Sequence, residues 1–373
     1  MDSSRTLVIS DLHFGRYGGG DVLRSAAARG PLLQALTDCD RLVLLGDVLE
    51  LRHGPLRDAV RAGADALQEI GGALAPGGEV VITAGNHDHH LVADWLERRA
   101  ADASPPALTL ESDVDWRPGE LPARLAELLA PARVRVAYPG VWLRDDVYAT
   151  HGHYLDLHLT VPTLERLGTG LMRRVVALEP EAPRTPEEYE TVLAPMYAWI
   201  HAIAQRADPV RCGFLHGGSV RGWAALTGPG RRTLRSRALA AALPATVAGL
   251  NRAGLGPLRR ELTGPELRRA GLRAVSETVT RLGAETGYVL FGHTHRAGPL
   301  PADDGAEWCT IAGTRLINTG CWVEEPAFVG PDPGASPYRP GFAALIEGDA
   351  PPRLINLLDG VRLPERPVSA VGD

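Results

Sequence analysis

The chain has 373 residues, 45% hydrophobic and 23% charged, with a formal net charge of −6 and a mean hydropathy of −0.07, which supports one large globular domain or one domain with a sizeable insertion. No run of about 18 apolar residues is present and no basic leader precedes the first strand, so neither a membrane-spanning helix nor a secretory signal is expected. The four cysteines, Cys39, Cys212, Cys309 and Cys321, are scattered without CxxC spacing, so neither a disulfide framework nor a thiolate zinc site is indicated and a reducing, cytoplasmic setting is the natural expectation.

In chain order, Arg5–Ser10 reads as a buried strand that ends in Asp11-Leu12-His13. A carboxylate and an imidazole two residues apart at a strand end can face one ion, and mixed oxygen and nitrogen donors suit Mn, Fe or Zn better than Ca or Mg. The plainer alternative is an aspartate capping the next loop beside an incidental histidine. A helix is expected over Val22–Thr37. The strand Arg41–Leu45 then runs into Gly46-Asp47, whose carboxylate has two oxygens and can bridge two cations about 3.5–4 Å apart. Glu50 reads as an acid near the start of the next helix, Leu56–Leu74, or as the holder of a nearby arginine.

The third strand, Glu79–Ala84, delivers Gly85-Asn86-His87-Asp88. Open α/β sheets place their chemistry at the carboxyl ends of such strands. Asn86 offers a neutral oxygen to a metal, His87 can move a proton, and Asp88 is the adjacent carboxylate expected to orient it. His89 and His90 read as solvent-facing or helix-capping. Ala101–Ala130 reads as loop with a short helix. Strands follow at Val134–Val136, Val141–Leu143 and Val147–Thr150, the last two a hairpin turning at Arg144-Asp145-Asp146. That hairpin ends in His151-Gly152-His153. Far downstream, Gly287–Phe291 ends in Gly292-His293-Thr294-His295, an H-x-H that can present two imidazoles to adjacent ions. Strands near Arg315–Asn318, Phe342–Ile346 and Leu354–Leu358 complete an α/β protein with two sheets flanked by helices.

Taken in order, Asp11-x-His13, Gly46-Asp47, Gly85-Asn86-His87-Asp88, His151-Gly152-His153 and Gly292-His293-Thr294-His295 resemble the motif series of the calcineurin-like metallophosphoesterases. The resemblance covers about residues 5–155 and 286–360. It implies a four-layer α-β-β-α sandwich of two mixed sheets. It also implies two divalent transition-metal ions, with Mn the first expectation and Fe, Zn or Co admissible. One ion would be held by Asp11, His13, Asp47 and His295. The other would be held by Asp47, Asn86, His151 and His293, with Asp47 as the bridge. The implied activity is hydrolysis of a phosphoester or pyrophosphate by a metal-bridging hydroxide. His87, oriented by Asp88, would stabilise charge or protonate the leaving group, His153 would hydrogen-bond the phosphate or stand behind the metal ligands, and Glu50 would contact substrate. Gly46-Asp47-x-x-Glu50 and Asn318-Thr319-Gly320-Cys321-Trp322 look most like the UDP-2,3-diacylglucosamine hydrolase branch. That branch often carries Arg where His87 stands and Asp where His153 stands.

Residues 154–285 form an expected helical cap inserted into a discontinuous core of 1–153 and 286–373. Helices are expected over Pro162–Leu178, Pro186–Gln205, Leu234–Leu250 and Gly264–Leu282, with Gly217-Gly218 and Gly228-Pro229-Gly230 in loops. Every basic residue of the chain is arginine, and Arg206–Arg281 holds fourteen of them against four acids, a net of +10 that leaves −16 for the rest. A basic cap over an acidic metal core would attract an anionic phosphate ester. The apolar stretch Val192–Ile200 reads as cap core, or as a face for acyl chains or an anionic membrane surface. Two other classes are weighed. A nuclease would use the arginines on phosphate backbone, but the segment lacks the basic–aromatic interleaving of single-strand binders. A non-catalytic scaffold would lose the proton-handling histidine that this chain keeps. No obligate protein partner is expected.

Overall fold

The first three strands, β1 (Arg5–Ile9), β2 (Arg41–Leu45) and β3 (Glu79–Thr83), each show one partly exposed residue followed by four buried ones. Runs apolar on both faces belong to parallel strands covered on both sides, and β1, β2 and β3 pair parallel in sequence. The computed structural model describes residues 4–161, 164–175, 183–206, 245–252, 258, 264–329 and 332–363. Among them, the other strands are β4 (Glu111–Asp113), β5 (Arg133–Arg144), β6 (Val147–Thr150), β7 (Tyr288–Phe291), β8 (Arg315–Asn318), β9 (Phe342–Glu347) and β10 (Arg353–Asn356). Their order is β10-β9-β1-β2-β3-β5-β6-β7-β8, with β4 on β5.

The two strands expected at Val134–Val136 and Val141–Leu143 are one long strand, β5. Its first part, Arg133–Val136, pairs parallel with β3, and its second, from Gly140 onward, pairs antiparallel with β6. The ladder therefore folds over between Ala137 and Gly140. Its two halves meet face to face through Val8, Val43 and Val81 on one side and Val147, Ala149 and Leu290 on the other. Helices α1 (Ala26–Leu36), α2 (Leu56–Ala73), α3 (His90–Ala101) and α4 (Leu121–Leu128) cover the outer face of the first half. Beyond β6 come α5 (Leu164–Val175), α6 (Pro186–Arg206) and α7 (Gly264–Leu282), and α7 packs Ala270, Val275 and Val279 on the second half. The result is the expected four-layer α/β sandwich of mixed sheets.

Local departures have local causes. The helix expected over Val22–Thr37 breaks at Ser25, whose Oγ accepts from Ala27 N and starts α1 afresh after a 3-10 turn at Val22–Arg24. Of Val192–Ile200, Val192, Leu193, Met196 and Tyr197 are core on α6, while Trp199 stays 67% exposed. Gly217-Gly218, Gly228-Pro229-Gly230, the start of the expected Leu234–Leu250 helix and eight of the fourteen arginines lie outside the described residues; 245–252 is helical. Of the described arginines, Arg268 and Arg269 pair with Glu307, Arg273 with Glu266 and Arg281 with Glu277, which neutralises part of the segment's charge. Among the described residues no helix is long and apolar enough to cross a membrane.

Candidate metal centre

Each expected motif leaves the carboxyl end of a strand: Asp11 and His13 after β1, Asp47 after β2, Asn86 and His87 after β3, His151 after β6, and His293 and His295 after β7. The fold brings these ends together. The glycines make the close approach possible, because a Cβ on Gly46 would enter the His151 ring, one on Gly85 would meet Asp47, and one on Gly292 would meet Asp11. Backbone strain is concentrated at the same place. Among the described residues, the non-glycine residues with left-handed φ are Asp11 (57°), His13 (48°), Asp47 (52°), His293 (64°) and His295 (58°). Such conformations cost of order 1–3 kcal/mol each and persist where surrounding structure imposes them. All five are candidate ligands.

Two clusters share one carboxylate. In the first, His295 Nε2 lies 3.1 Å from His13 Nε2 and 3.2 Å from Asp11 Oδ1, and His13 Nε2 lies 3.6 Å from Asp47 Oδ2. In the second, His151 Nε2 lies 3.3 Å from the same Asp47 Oδ2 and 3.2 Å from Asn86 Oδ1, which is 3.0 Å from His293 Nδ1. Ligand atoms about 2.0–2.2 Å from a transition metal stand roughly 3.0–3.5 Å from one another, the spacing seen here.

The hydrogen-bond pattern supports the fit. The Nδ1–H of His13 donates to Glu50, the Nδ1–H of His151 to the Leu45 carbonyl, and the Nε2–H of His293 to Asp156. Each outward bond holds the proton of one ring nitrogen and turns the other nitrogen into a cluster, where it is free to ligate once it gives up any proton it carries. Asp11 Oδ1 is buried and accepts no well-aligned hydrogen bond. Asn86 Oδ1 faces only acceptors, so without a cation the amide gains by turning over, its NH2 toward Asp47, His151 and His293 and its oxygen toward Arg52. Facing lone pairs need positive charge between them, and the acid–base balance says the same. Burial opposes charge on His13 and His151, yet Asp11, Glu50 and Asp47 raise His13 to about 10, and Asp47 and Asp11 raise His151 to about 9. Asp47 itself, despite burial, is held well below the carboxylate range by His151, His87 and His13.

Two expected roles change and a third narrows. Asp88 does not orient His87: its buried carboxylate accepts from the backbone N–H groups of Gly85, Asp47, Val48 and Leu49 and ties the β3 loop to the β2 loop. Glu50 does that orienting. It is 2% exposed and opens no helix, and its oxygens take His87 Nδ1 at 2.8 Å and His13 Nδ1 at 3.1 Å. His53 Nε2 also lies 3.3 Å from it, so this group is a hydrogen-bond hub for imidazoles. Of the two places expected for His153, the structure shows the one behind the ligand cluster. His153 is 1% exposed, with Nε2 on the Tyr138 hydroxyl at 3.2 Å, because the Gly152 turn sends it behind His151. His87 is part-exposed and edge-on to His13 at 4.6 Å. Burial, reinforced by Arg52, lowers it to about 4, so its ring is neutral near pH 7.

Sequence reading missed Asp156, Glu190 and the buried state of His89, which donates to Glu190 and is not solvent-facing. Asp156 stands three residues beyond His153, and that short spacing was the one signal for it. The late Asn318–Trp322 stretch braces the centre: Thr319 Oγ1 meets Ser10 Oγ beside Asp11, Trp322 N donates to Asp11 O, and Asn318 Nδ2 donates to Gly292 O. No family model matches the chain, and no curated protein matches it. Among solved structures, a dimetal phosphatase from Danio rerio aligns over 95% of this chain and 100% of that chain, at 13% identity and a TM-score of 0.31.

Proposed function

We propose that the chain is a phosphoester hydrolase working with two divalent cations, one held by Asp11, His13, Asp47 and His295 and the other by Asp47, Asn86, His151 and His293. The observation that carries this reading is the pair of inward-facing donor clusters meeting at Asp47 Oδ2. Bound there, two cations supply activation of water near neutral pH and neutralisation of phosphoryl oxygens. The chain's own residues do the rest. Glu50 holds the Nδ1–H of His87, so Nε2 is the atom left to take a proton and hand it to the leaving oxygen. A phosphate dianion beside that ring raises its proton affinity from the low resting value. The neutral Asn86 oxygen completes a ligand set without adding charge.

The substrate is a small-molecule or lipid-linked phosphoester or pyrophosphate of nucleotide-sugar type. The test is the full chain, stripped of metal and reloaded with Mn, Fe, Zn or Co, against p-nitrophenyl phosphate esters, nucleotides, cyclic nucleotides, UDP-sugars and single-stranded oligonucleotide. Cation-dependent turnover of a small ester or pyrophosphate supports the reading. Turnover confined to the oligonucleotide replaces it with a nuclease, and no turnover with any metal removes it.

A further inference from the structure

Helix α6 reaches the candidate centre with one face. Glu190, Tyr197, His201 and Gln205, at helical spacing, meet residues that directly follow the ligand-bearing motifs. Tyr197 carries the Arg52 guanidinium 5.4 Å over its ring. The His201 ring stacks on His90 at 4.2 Å. Gln205 accepts from Leu56 N at 2.9 Å and donates to Gly54 O at 3.3 Å.

The firmest of these contacts is a buried carboxylate. Glu190 is 7% exposed, and three donors from outside its helix converge on it. Oε1 accepts the Tyr138 and Tyr154 hydroxyls at 2.5 Å each, and Oε2 accepts His89 Nε2 at 2.8 Å. The Tyr138 oxygen is in turn 3.2 Å from His153 Nε2. His89 adjoins Asp88, the tie between the β2 and β3 loops, and His153 is one glycine from His151. A carboxylate so placed is costly to bury unless its donors are fixed, and fixing them fixes the loops that carry them.

We infer that Glu190 is a positioning residue for the two-cation centre: through His89 and through Tyr138 and His153 it holds the loops presenting Asn86, His87 and His151 in register. The inference rests on the proposed two-cation reading. It assigns α6 a fixed place against the site, as a wall and not as a swinging lid. Ligand geometry tolerates errors of only about 0.5 Å, so loosening a supporting partner lowers cation affinity even when every ligand remains.

The experiment is calorimetric titration of the metal-free full chain with Mn²⁺, comparing wild type, Glu190→Gln and Thr191→Ala, the last on the exposed side of α6. Glu190→Gln turns an amide N–H2 toward His89 Nε2 or toward the tyrosines, so at least one donor loses its acceptor. The expected result is a cation affinity at least fivefold weaker for Glu190→Gln, with a cooperative thermal transition retained and Thr191→Ala at the wild-type value. If Glu190→Gln does not fold, Tyr154→Phe, which deletes one bond to Oε1, is held to the same comparison with a twofold criterion. Wild-type affinity in the variant overturns the inference while leaving the two-cation reading intact. A wild-type chain that binds no Mn²⁺ overturns both.

Discussion

Asn86 and His87 are neighbours in sequence with different contacts, and the contrast between their proposed roles can be measured. Asn86 Oδ1 sits among the donors of the second cluster, whereas the His87 ring hangs on Glu50 through Nδ1. Asn86→Ala should bind about one cation fewer per chain by metal analysis and lose activity with it. His87→Ala should retain wild-type cation content and lose about 10²–10⁴ in kcat. Equal cation loss in both would contradict the separation of roles. Glu50 gives a third case, since one carboxylate steers both His13 and His87. Glu50→Gln should weaken cation binding by about 10–100-fold and also slow turnover at saturating metal, a double effect that neither neighbour alone would give. The candidate ligands were legible because each follows an apolar strand, and side chains at strand ends gather at one edge of the sheet. The partners were not. Asp88 lies next to His87 in the chain, yet the turn sends its carboxylate into backbone N–H groups; Asp156, Glu190 and the burial of His89 depend on packing between segments that sequence order does not bring together.

At the level of elements, the loops between strand and helix are shaped by small residues as well as by hydrogen bonds. Gly46 has φ +81°, and a Cβ there would press into the His151 ring. Gly46→Ala should therefore displace His151, weaken the second cation site, and lower stability by about 1–3 kcal/mol; urea unfolding beside calorimetry would separate the two effects, and an unchanged affinity would show that the loop relaxes away. Apart from the polar β4 (Glu111–Asp113), which falls where loop and a short helix were expected, the strands themselves were readable from apolar runs of five or so residues. The double membership of β5 was not, because Pro139-Gly140 looks like the end of one strand and the start of another, and only pairing with β3 on one side and β6 on the other joins them. Glu190 carries a pH signature at this scale. Burial raises its carboxyl, but His89, Tyr138 and Tyr154 outweigh that and hold it below its ordinary 4.5. A depressed carboxyl contributes stability above about pH 4.5 that is lost as pH falls through the lower native value. Wild type should lose stability more steeply than Glu190→Gln in that acid range, as read by thermal denaturation.

For the molecule as a whole, the centre joins the two halves of the folded-over sheet: β1, β2 and β3 supply Asp11, His13, Asp47 and Asn86 from one side, and β6 and β7 supply His151, His293 and His295 from the other. Without cations those donors face one another, and the protons that His13 and His151 retain, at about 10 and about 9, are what relieve the repulsion. A cation must displace them, so binding releases protons and competes with them. Two consequences follow in sign. Because ions bind the folded chain and not the scattered ligands of the unfolded one, adding Mn²⁺ at about 100 times its dissociation constant should stabilise the fold by about 2.7 kcal/mol per site, and chelation should reverse it. Because His13 and His151 stay protonated in the cation-free chain below their raised values, affinity should climb with pH from 6 to 8, by up to about tenfold per pH unit for each proton released. The cation-induced rise in Tm should therefore be larger at pH 8 than at pH 6. Scanning calorimetry at both pH values, with and without Mn²⁺ and in buffers of different ionisation enthalpy, reads the stabilisation and the proton release together. A rise in Tm that is the same at both pH values, with no proton release, would mean that the ions bind somewhere other than the pocket at Asp47.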